Sequence, residues 1–495
     1  MKKSFVQMLL AALVITATAG LMTACTIEDN PTNNDIISKN APPLKVPLTF
    51  EAIKPNTVLT FKLDEAIVPS SVEYTTDEGH NWKPLASIDE AITLANVGDK
   101  VSFRGTNSCY APSYANNINY DYSNFEISEE CYVYGNIMSL IDKHTFATLT
   151  KFNSTFVFWM LFSYSPIIPF KDEAHQLLLP ATTLTDCCYM SMFSGCKSMT
   201  VAPALPATKM AESCYNCLFR GSGLKSAPEL PAMDLADYCY YGMFWGCQDL
   251  PAGPKVLPAK VLAERCYNTM FYNCRALTSA PEIAATTMAY QCCVSMFSSC
   301  PALKKAPALP ATELAGYCYV GMFSYCAALE EAPVLPATKL EEYCYYRMFE
   351  GCSALKTAPK LPATILAECC YREMFGGCRG LVNAPELPAT QLTKGCYTNM
   401  FQSCTSLIIA PELPATTLAE DCYFGMFNNC QALEEVRCHA TDICADYCLR
   451  GWLSRAGLNA ASPTLYVPST MLTADWALDV QTPFTPASPF TIAPL

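Results

Sequence analysis

The stretch CCYREMFGGCRGLVNAPELPAT, from Cys369 to Thr390, decides the fold of this chain because its pattern recurs along most of the sequence. The unit is C-Y-x-x-M-F-x-x-C-x-x-L-x-x-A-P-x-L-P-A-T-x-L-A-x-x, spaced by 26 residues with one early spacing of 25 and one of 27. One copy cannot bury its apolar face alone, so the period predicts stacked copies. Eleven leading cysteines begin the copies: Cys188, Cys214, Cys239, Cys266, Cys292, Cys318, Cys344, Cys370, Cys396, Cys422 and Cys448.

The first half of each copy predicts a helix. Placed at 100° per residue, the recurring Leu, Cys, Tyr, Met and Phe positions share one face. Threonines that close LPAT fit helix N-caps, and Gly or Asn before the second cysteine fits a helix end. The threonines are Thr312, Thr338, Thr364, Thr390 and Thr416, and the end residues include Gly195, Gly221, Gly246, Asn273, Gly351, Gly377 and Asn429.

The second half of each copy, L-x-x-A-P-x-L-P, predicts two to four residues of parallel strand followed by an extended step, because proline cannot donate to a strand ladder. A strand, a turn and a helical turn within 26 residues form the coil of a leucine-rich repeat. We therefore predict an α/β solenoid of leucine-rich-repeat coils, preceded by a small all-β domain.

The unit resembles the BspA-type leucine-rich repeats of bacterial surface proteins. The segment M-F-x-x-C-x-x-L matches the A-F-x-x-C-x-x-L of that family, and L-P-A-T matches its I-P step. This chain departs from the family by three extra residues per copy, by the proline after the strand alanine and by the leading cysteine. The resemblance implies a cell-surface role in adhesion.

The start of the chain predicts export. Residues 1–25, MKKSFVQMLLAALVITATAGLMTAC, carry two lysines, an apolar run and a final cysteine. This is the pattern of a secretory signal, and LMTAC resembles a lipobox, so we predict lipidation at Cys25. Glu28 and Asp29 resemble a surface-export signal, which favours an outer-membrane lipoprotein exposed on the cell. An inner-leaflet or periplasmic orientation remains the alternative.

Changes in composition divide the remainder. Residues 26–44 are polar and rich in Pro and Asn, which predicts a flexible tether. Residues 45–136 hold short runs such as VLTFKL and KVSFRG between turn signals, which predicts a small antiparallel β-domain. Residues 137–465 are predicted to form a solenoid of about twelve repeats, including an early copy without the cysteines, and residues 466–495 a C-terminal cap or tail.

Composition excludes several classes of protein. The formal net charge of −13 argues against nucleic acid and against an anionic membrane surface as partners, so we expect membrane contact only through the lipid. The four histidines are scattered, and no phosphate loop, G-x-S-x-G or HExxH motif occurs. We therefore predict no enzyme activity and no cofactor.

The 29 cysteines permit a buried core, ladder disulfides or a metal site. We favour a core role, since free cysteine behaves as a small buried hydrophobe and the second cysteine is replaced by Ser222 and Ala456. The best metal spacings, at Cys214–Cys217 and at Cys438–His439–Cys444–Cys448, are unlike those of usual zinc sites. We predict a structural ladder of the leading cysteines from Cys188 to Cys422 and no bound metal.

Positions that vary between copies are the candidate binding residues. The residue before the last Leu-Pro is Glu229, Glu282, Glu386 and Glu412 in four copies, and the helix side adds Arg347, Arg372 and Glu373. Such columns form an extended surface for a large partner. We predict a lipid-anchored, adhesin-like or scaffold protein that binds a protein or glycoprotein. The alternative is a glycan-binding lipoprotein that uses the N-terminal β-domain.

Overall fold

The computed structural model describes residues 44–116, 121–476 and 489–495. The predicted signal, the lipidation site Cys25 and the tether as far as residue 43 lie outside the described residues. Leu44–Leu495 form one compact unit.

The regular elements of the described residues are mostly short strands. The strands are β1 (Leu48–Ala52), β2 (Thr57–Lys62), β3 (Val72–Thr75), β4 (Lys83–Pro84), β5 (Ala91–Leu94), β6 (Lys100–Gly105), β7 (Asn124–Ile127), β8 (Cys131–Asn136), β9 (Ile167–Ile168), β10 (Phe170–Asp172), β11 (His175–Leu178), β12 (Val256–Leu257), β13 (Glu282–Ile283), β14 (Glu435–Arg437), β15 (Thr464–Val467) and β16 (Thr491–Pro494). One α-helix, α1, covers Pro112–Ala115, and 3-10 turns occur at Pro69–Ser71, Ile137–Leu140, Phe146–Thr148 and Ser469–Met471.

The first eleven strands build two sheets. The larger sheet has the order β10-β11-β8-β1-β6-β3-β4, with β9 also paired to β8, and the smaller has the order β5-β2-β7. In β2 and β6 buried residues alternate with more exposed ones, as in strands with one face on a core. Phenylalanines of the two sheets meet in that core: the ring centroids of Phe50 and Phe125 are 4.7 Å apart, and those of Phe61 and Phe103 are 5.8 Å apart.

The predicted α/β solenoid with helical turns is wrong. The single α-helix of the described residues has four residues, lies before the repeats, and is accompanied by strands in antiparallel and mixed sheets. The threonines predicted as N-caps, such as Thr312 and Thr390, therefore begin no helix. The segment from the residue before each leading cysteine to the second cysteine is a chain of turns, here called the turn ribbon.

Two alternating sets of hydrogen bonds define the turn ribbon. In the copy that opened the sequence, the N–H groups of residues 369, 371, 373, 375 and 377 donate to carbonyls about 25 residues later, in the next copy. The intervening N–H groups donate three residues back, as Met374 does to Tyr371. An α-helix would use all these groups internally. The turn ribbon therefore joins successive copies through their backbones.

Every fourth residue of the turn ribbon has a positive φ. In the same copy these residues are Cys369 at 53°, Glu373 at 54° and Gly377 at 72°. Gly and Asn before the second cysteine do adopt the left-handed conformation, as predicted, although they end no helix. With this four-residue period, two inward-facing residues alternate with two outward-facing residues. Cys370, Tyr371, Met374 and Phe375 are buried, whereas the residues between them are more exposed.

The inward side chains form columns that run along the copies. Phe349 stacks between Phe323 and Phe375, with centroid separations of 5.7 Å on both sides and interplanar angles of 6° and 8°. A parallel tyrosine column runs beside it and is interrupted at Cys293. Phe162 continues the phenylalanine column to Phe125 of the smaller sheet. One hydrophobic core thus spans the sheets and the copies.

In the second half of each copy, after the turn ribbon, the strand pairing between copies is shorter than expected. Most copies meet there through single parallel bridges, as in the series Thr357, Asn383, Ile409 and Glu435. The prolines two residues after the first three of these positions lack an N–H, which limits the ladder. Longer pairing occurs between β12 and β13, and at the end of the stack, where β14, β15 and β16 form a parallel sheet. Trp452 and Trp476 close the aromatic columns at that end.

Candidate functional site

The turn ribbon separates structural positions from surface positions. The outward positions are the residue before the leading cysteine and the residues two, three, six and seven after it. Because the copies are joined in register, each outward position forms a column of side chains that differ in chemistry. Candidate binding residues are therefore sought along the columns rather than within one copy.

One part of the turn ribbon carries a cluster of aromatic and arginine side chains, here called the aromatic patch: Arg220, Tyr238, Tyr241, Trp245, Arg265 and Tyr272. The guanidinium of Arg220 lies 4.3 Å from the ring centroid of Trp245, and that of Arg265 lies 5.3 Å from Tyr238. The rings of Trp245 and Tyr272 meet edge-on at 5.3 Å. Tyr, Trp and Arg are the residue types that contribute most at protein interfaces.

Three of the predicted binding residues lie together. Glu373 accepts hydrogen bonds from Arg347, at 2.7 Å, and from Arg372, at 3.3 Å. Both guanidinium groups also lie over Tyr346, at 4.9 and 6.0 Å from the ring centroid. The ring of Tyr343 packs edge-on against that of Tyr346. These side chains bind one another and extend the aromatic surface along the ribbon.

The pKa values of neighbouring tyrosines reflect this packing. A hydrogen bond with Cys369, together with burial, holds the pKa of Tyr343 well above its usual range. Burial and the hydrogen bond to Glu350 raise the pKa of Tyr325. Both phenols are therefore neutral hydrogen-bonding groups at physiological pH.

The predicted glutamate column lies in another segment of each copy. Glu229, Glu282, Glu386 and Glu412 are all exposed, and Glu282 belongs to β13. Glu386 and Glu412 come from adjacent copies, but Ala308, Val334 and Lys360 separate them from Glu282. A carboxylate oxygen of Glu412 lies 2.7 Å from His439 Nε2. The column is thus acidic only in parts.

The cysteines lie in the core. The leading cysteines from Cys188 to Cys422 have no exposed surface, and the structure holds all 28 described cysteines as free thiols. The thiols of most second cysteines donate to the phenylalanine carbonyl of the preceding copy, as Cys352 does to Phe323 at 3.1 Å. Burial raises the pKa of Cys326 to about 12. The Phe323 carbonyl also accepts the N–H of Cys326 at 3.1 Å, so the thiol adds a second hydrogen bond to it.

Equivalent cysteines on neighbouring copies lie closer together than the predicted helices would allow. Helices packed about 8–10 Å apart would separate equivalent cysteines, whereas the aromatic columns show copies only 5.2–6.1 Å apart. Spacing therefore does not keep equivalent cysteines apart, and burial limits the access of solvent reagents to the leading cysteines. Across the described part of the chain, no group of three or more His, Cys, Asp and Glu side chains could hold a metal ion.

Sequence reasoning missed part of the aromatic patch. Arg220, Tyr238, Trp245 and Arg265 occupy variable positions of adjacent copies, and each looks isolated within its own copy. Aligning the copies and reading down each variable position would have found them. Within the described residues, no helix has the length and apolar character needed to cross a membrane.

Comparison with protein-family models, curated proteins and solved structures finds no match for this chain. The resemblance to BspA-type repeats consequently rests on the recurring motif alone.

Proposed function

We propose that this chain is a non-enzymatic recognition protein that binds a partner protein or glycoprotein through the outward face of its turn ribbon. The aromatic patch carries the proposal. Its side chains are held by stacking and by arginine contacts rather than buried in the core. Half-exposed aromatic and arginine groups that are already ordered lose little conformational entropy on binding, which favours their use in an interface.

The proposed partner meets the ribbon along several copies. The patch draws on adjacent copies, and Arg347, Arg372 and Tyr346 extend similar chemistry farther along the chain. Many modest contacts over such a surface give affinity without a single deep pocket. The net charge of −13 supports a protein partner over nucleic acid.

A capture experiment with matched variants tests the proposal. Full-length protein immobilised on beads is incubated with host extracellular-matrix and surface proteins, and bound proteins are identified. We expect a partner that is lost with the double variant Tyr238→Ala/Trp245→Ala. It should be retained with Glu229→Ala/Glu282→Ala, which alters the other segment of the copies. Retention by the first variant and loss by the second would move the binding surface to the glutamates.

Lipid anchoring at Cys25 and display on the outer membrane are a separate part of the proposal, supported by the sequence of residues 1–29. Metabolic labelling with a fatty-acid analogue should mark the wild-type protein and not Cys25→Ser. Protease added to intact cells should then remove the protein if it faces outward, and protection would place it on an inner face.

A further inference from the structure

A cleft that is not part of the aromatic patch lies beside Arg347 and Arg372, with Glu373 in its lining. It has a volume of about 540 Å³ and opens on the turn ribbon. Its lining includes Tyr325, Glu350, Gly376, Gly377, Arg379 and Gln402. The volume lies within the range of about 300–1,000 Å³ found for small-molecule sites.

Glycines create the floor of this cleft. Gly376 stands in a column whose neighbours are Glu350 and Gln402, and Gly377 stands beside Gly351 in the next column. A Cβ on Gly376 would meet nothing closer than 3.4 Å, so the backbone there tolerates a side chain. The equivalent position holds Trp245 and Tyr272 in other copies. The cleft is therefore a local gap in a column that elsewhere is filled.

A tyrosine forms one wall. The side chain of Tyr325 is 54% exposed, and its ring lies so close to Gly351 that a Cβ there would come within 2.7 Å of Cδ1. The phenol is hydrogen-bonded to Glu350 Oε1 at 3.0 Å. Packing and this hydrogen bond together hold the ring in place. An aromatic face is a platform for a ligand with an apolar C–H surface.

The polar groups available to a ligand are side chains. The N–H groups of Gly351, Gly376 and Gly377 already donate to backbone carbonyls. The carboxylates of Glu350 and Glu373 retain accepting capacity, and Arg379 and the amide of Gln402 supply donors. The cleft thus offers donors and acceptors around one aromatic wall.

The side chains of this cleft suit neither a phosphate-type anion nor a bare cation. A phosphate-type anion needs free backbone N–H groups or an excess of cations, whereas the cleft has occupied amides and sets two carboxylates against one arginine, Arg379. A bare cation would compete with Arg347, which already lies 2.7 Å from Glu373 Oε2. Hydroxyl groups both donate and accept, so a polyhydroxylated ligand can use the acids, the arginine and the amide at once.

We propose that this cleft binds a short saccharide, with one sugar ring stacked on Tyr325 and its hydroxyl groups bonded to Glu350, Arg379 and Gln402. A smaller cleft of about 390 Å³, beside Trp82, is less suited to the task, since Arg104 already covers that indole at 4.0 Å. The saccharide site does not depend on the protein partner proposed for the aromatic patch.

The test uses full-length protein and a defined panel of di- and trisaccharides of glucose, galactose, mannose and N-acetylglucosamine, with binding measured by calorimetry. We expect at least one saccharide to bind. Gly376→Tyr, which fills the gap with a side chain native to the equivalent position, and Tyr325→Ala should each weaken its binding about tenfold or more. Arg379→Ala, at an exposed position, should weaken it without affecting the fold.

Two matched variants serve as controls. Ser454→Tyr places the same new ring three copies away at the position equivalent to Gly376, and Tyr164→Ala removes a tyrosine that lies over Gly195 as Tyr325 lies over Gly351. Both should leave binding unchanged. The proposal is overturned if no saccharide of the panel binds, or if the three cleft variants bind as well as the controls.

Discussion

Two adjacent glycines distinguish the turn ribbon from a helix that continues through them. Gly377 has a φ of +72°, whereas Gly376 is not among the residues with positive φ. Both positions have room for a methyl group: a Cβ on Gly377 would lie 3.7 Å from Gly351, and one on Gly376 would lie 3.4 Å from its nearest neighbour. Replacement of each by alanine therefore tests the backbone conformation alone.

The two substitutions should have opposite effects. Alanine reduces the entropy of the unfolded chain, which stabilises a protein by about 0.4–1 kcal/mol where the native conformation suits it. Gly376→Ala should show this gain. At Gly377 the left-handed conformation costs an L-residue about 1–2 kcal/mol, which exceeds the gain. We expect Gly377→Ala to be destabilised by roughly 0.5–1 kcal/mol, and the two variants to differ by about 1.5 kcal/mol.

Native-state hydrogen exchange measures the difference locally, which suits stacked copies whose unfolding need not be two-state. The exchange rates of the amides of Tyr371 and Phe375, which donate to the next copy, report the opening of this ribbon. In a helix that continued through both residues, both changes would stabilise by about 1 kcal/mol, because alanine is favoured over glycine in a helix interior. Equal stabilisation by the two substitutions would refute the left-handed conformation at Gly377.

Three further outcomes are expected. Phe349→Ala removes a ring stacked on both sides and should destabilise by about 3–5 kcal/mol in chemical denaturation, whereas Tyr164→Ala, at a surface position, should change stability by less than about 0.5 kcal/mol. Burial opposes ionisation of Glu73, but hydrogen bonds from Lys143 and Arg104 outweigh it and lower its pKa. The Glu73→Gln variant should therefore have a lower free energy of unfolding than the wild type at pH 7. This difference in stability should shrink as pH falls through the pKa of Glu73 in the folded state, and a constant difference would contradict the prediction. A thiol reagent should label Cys444, the exposed cysteine of the described residues, whereas the buried thiols should react only after unfolding. Rapid labelling of many thiols in the native protein would disprove their burial.

The cysteine and tyrosine columns imply a limit at alkaline pH. Burial raises the pKa of Cys326 to about 12 and that of Cys344 to about 12. A raised pKa in the folded state gives stability that is present below the unfolded pKa and is lost as pH rises above it. Stability should decline from about pH 9, near the ordinary pKa of a thiol. Thermal melts across this range measure the decline.

The helix prediction failed for an identifiable reason. Residues such as Cys370, Tyr371, Met374 and Phe375 share one face at 3.6 residues per turn and also at four, so their burial could be predicted without knowing the backbone. The distinguishing signal was present in the middle of the predicted helix. Four copies place glycine three residues after the leading cysteine, at Gly242, Gly321, Gly425 and Gly451, where a helix would be weakened.

The candidate sites were also only partly predictable from the sequence. Variable positions directed attention to Arg347, Arg372 and Glu373, which the structure joins in one cluster. The cleft at Gly376 could not be found in this way, because it arises from a missing side chain between Glu350 and Gln402 on adjacent copies, next to Gly351 and Gly377. A gap has no residue pattern of its own within one copy.

The sequence by itself determined the period of the repeat and which side chains of each copy are apolar. These properties follow from composition and spacing alone. Only the tertiary structure decided the backbone, because alternate N–H groups of the turn ribbon find their acceptors in the next copy. A local pattern cannot reveal a partner about 25 residues away in the chain. The left-handed residues at every fourth position cost energy locally, and the hydrogen bonds between copies offset that cost.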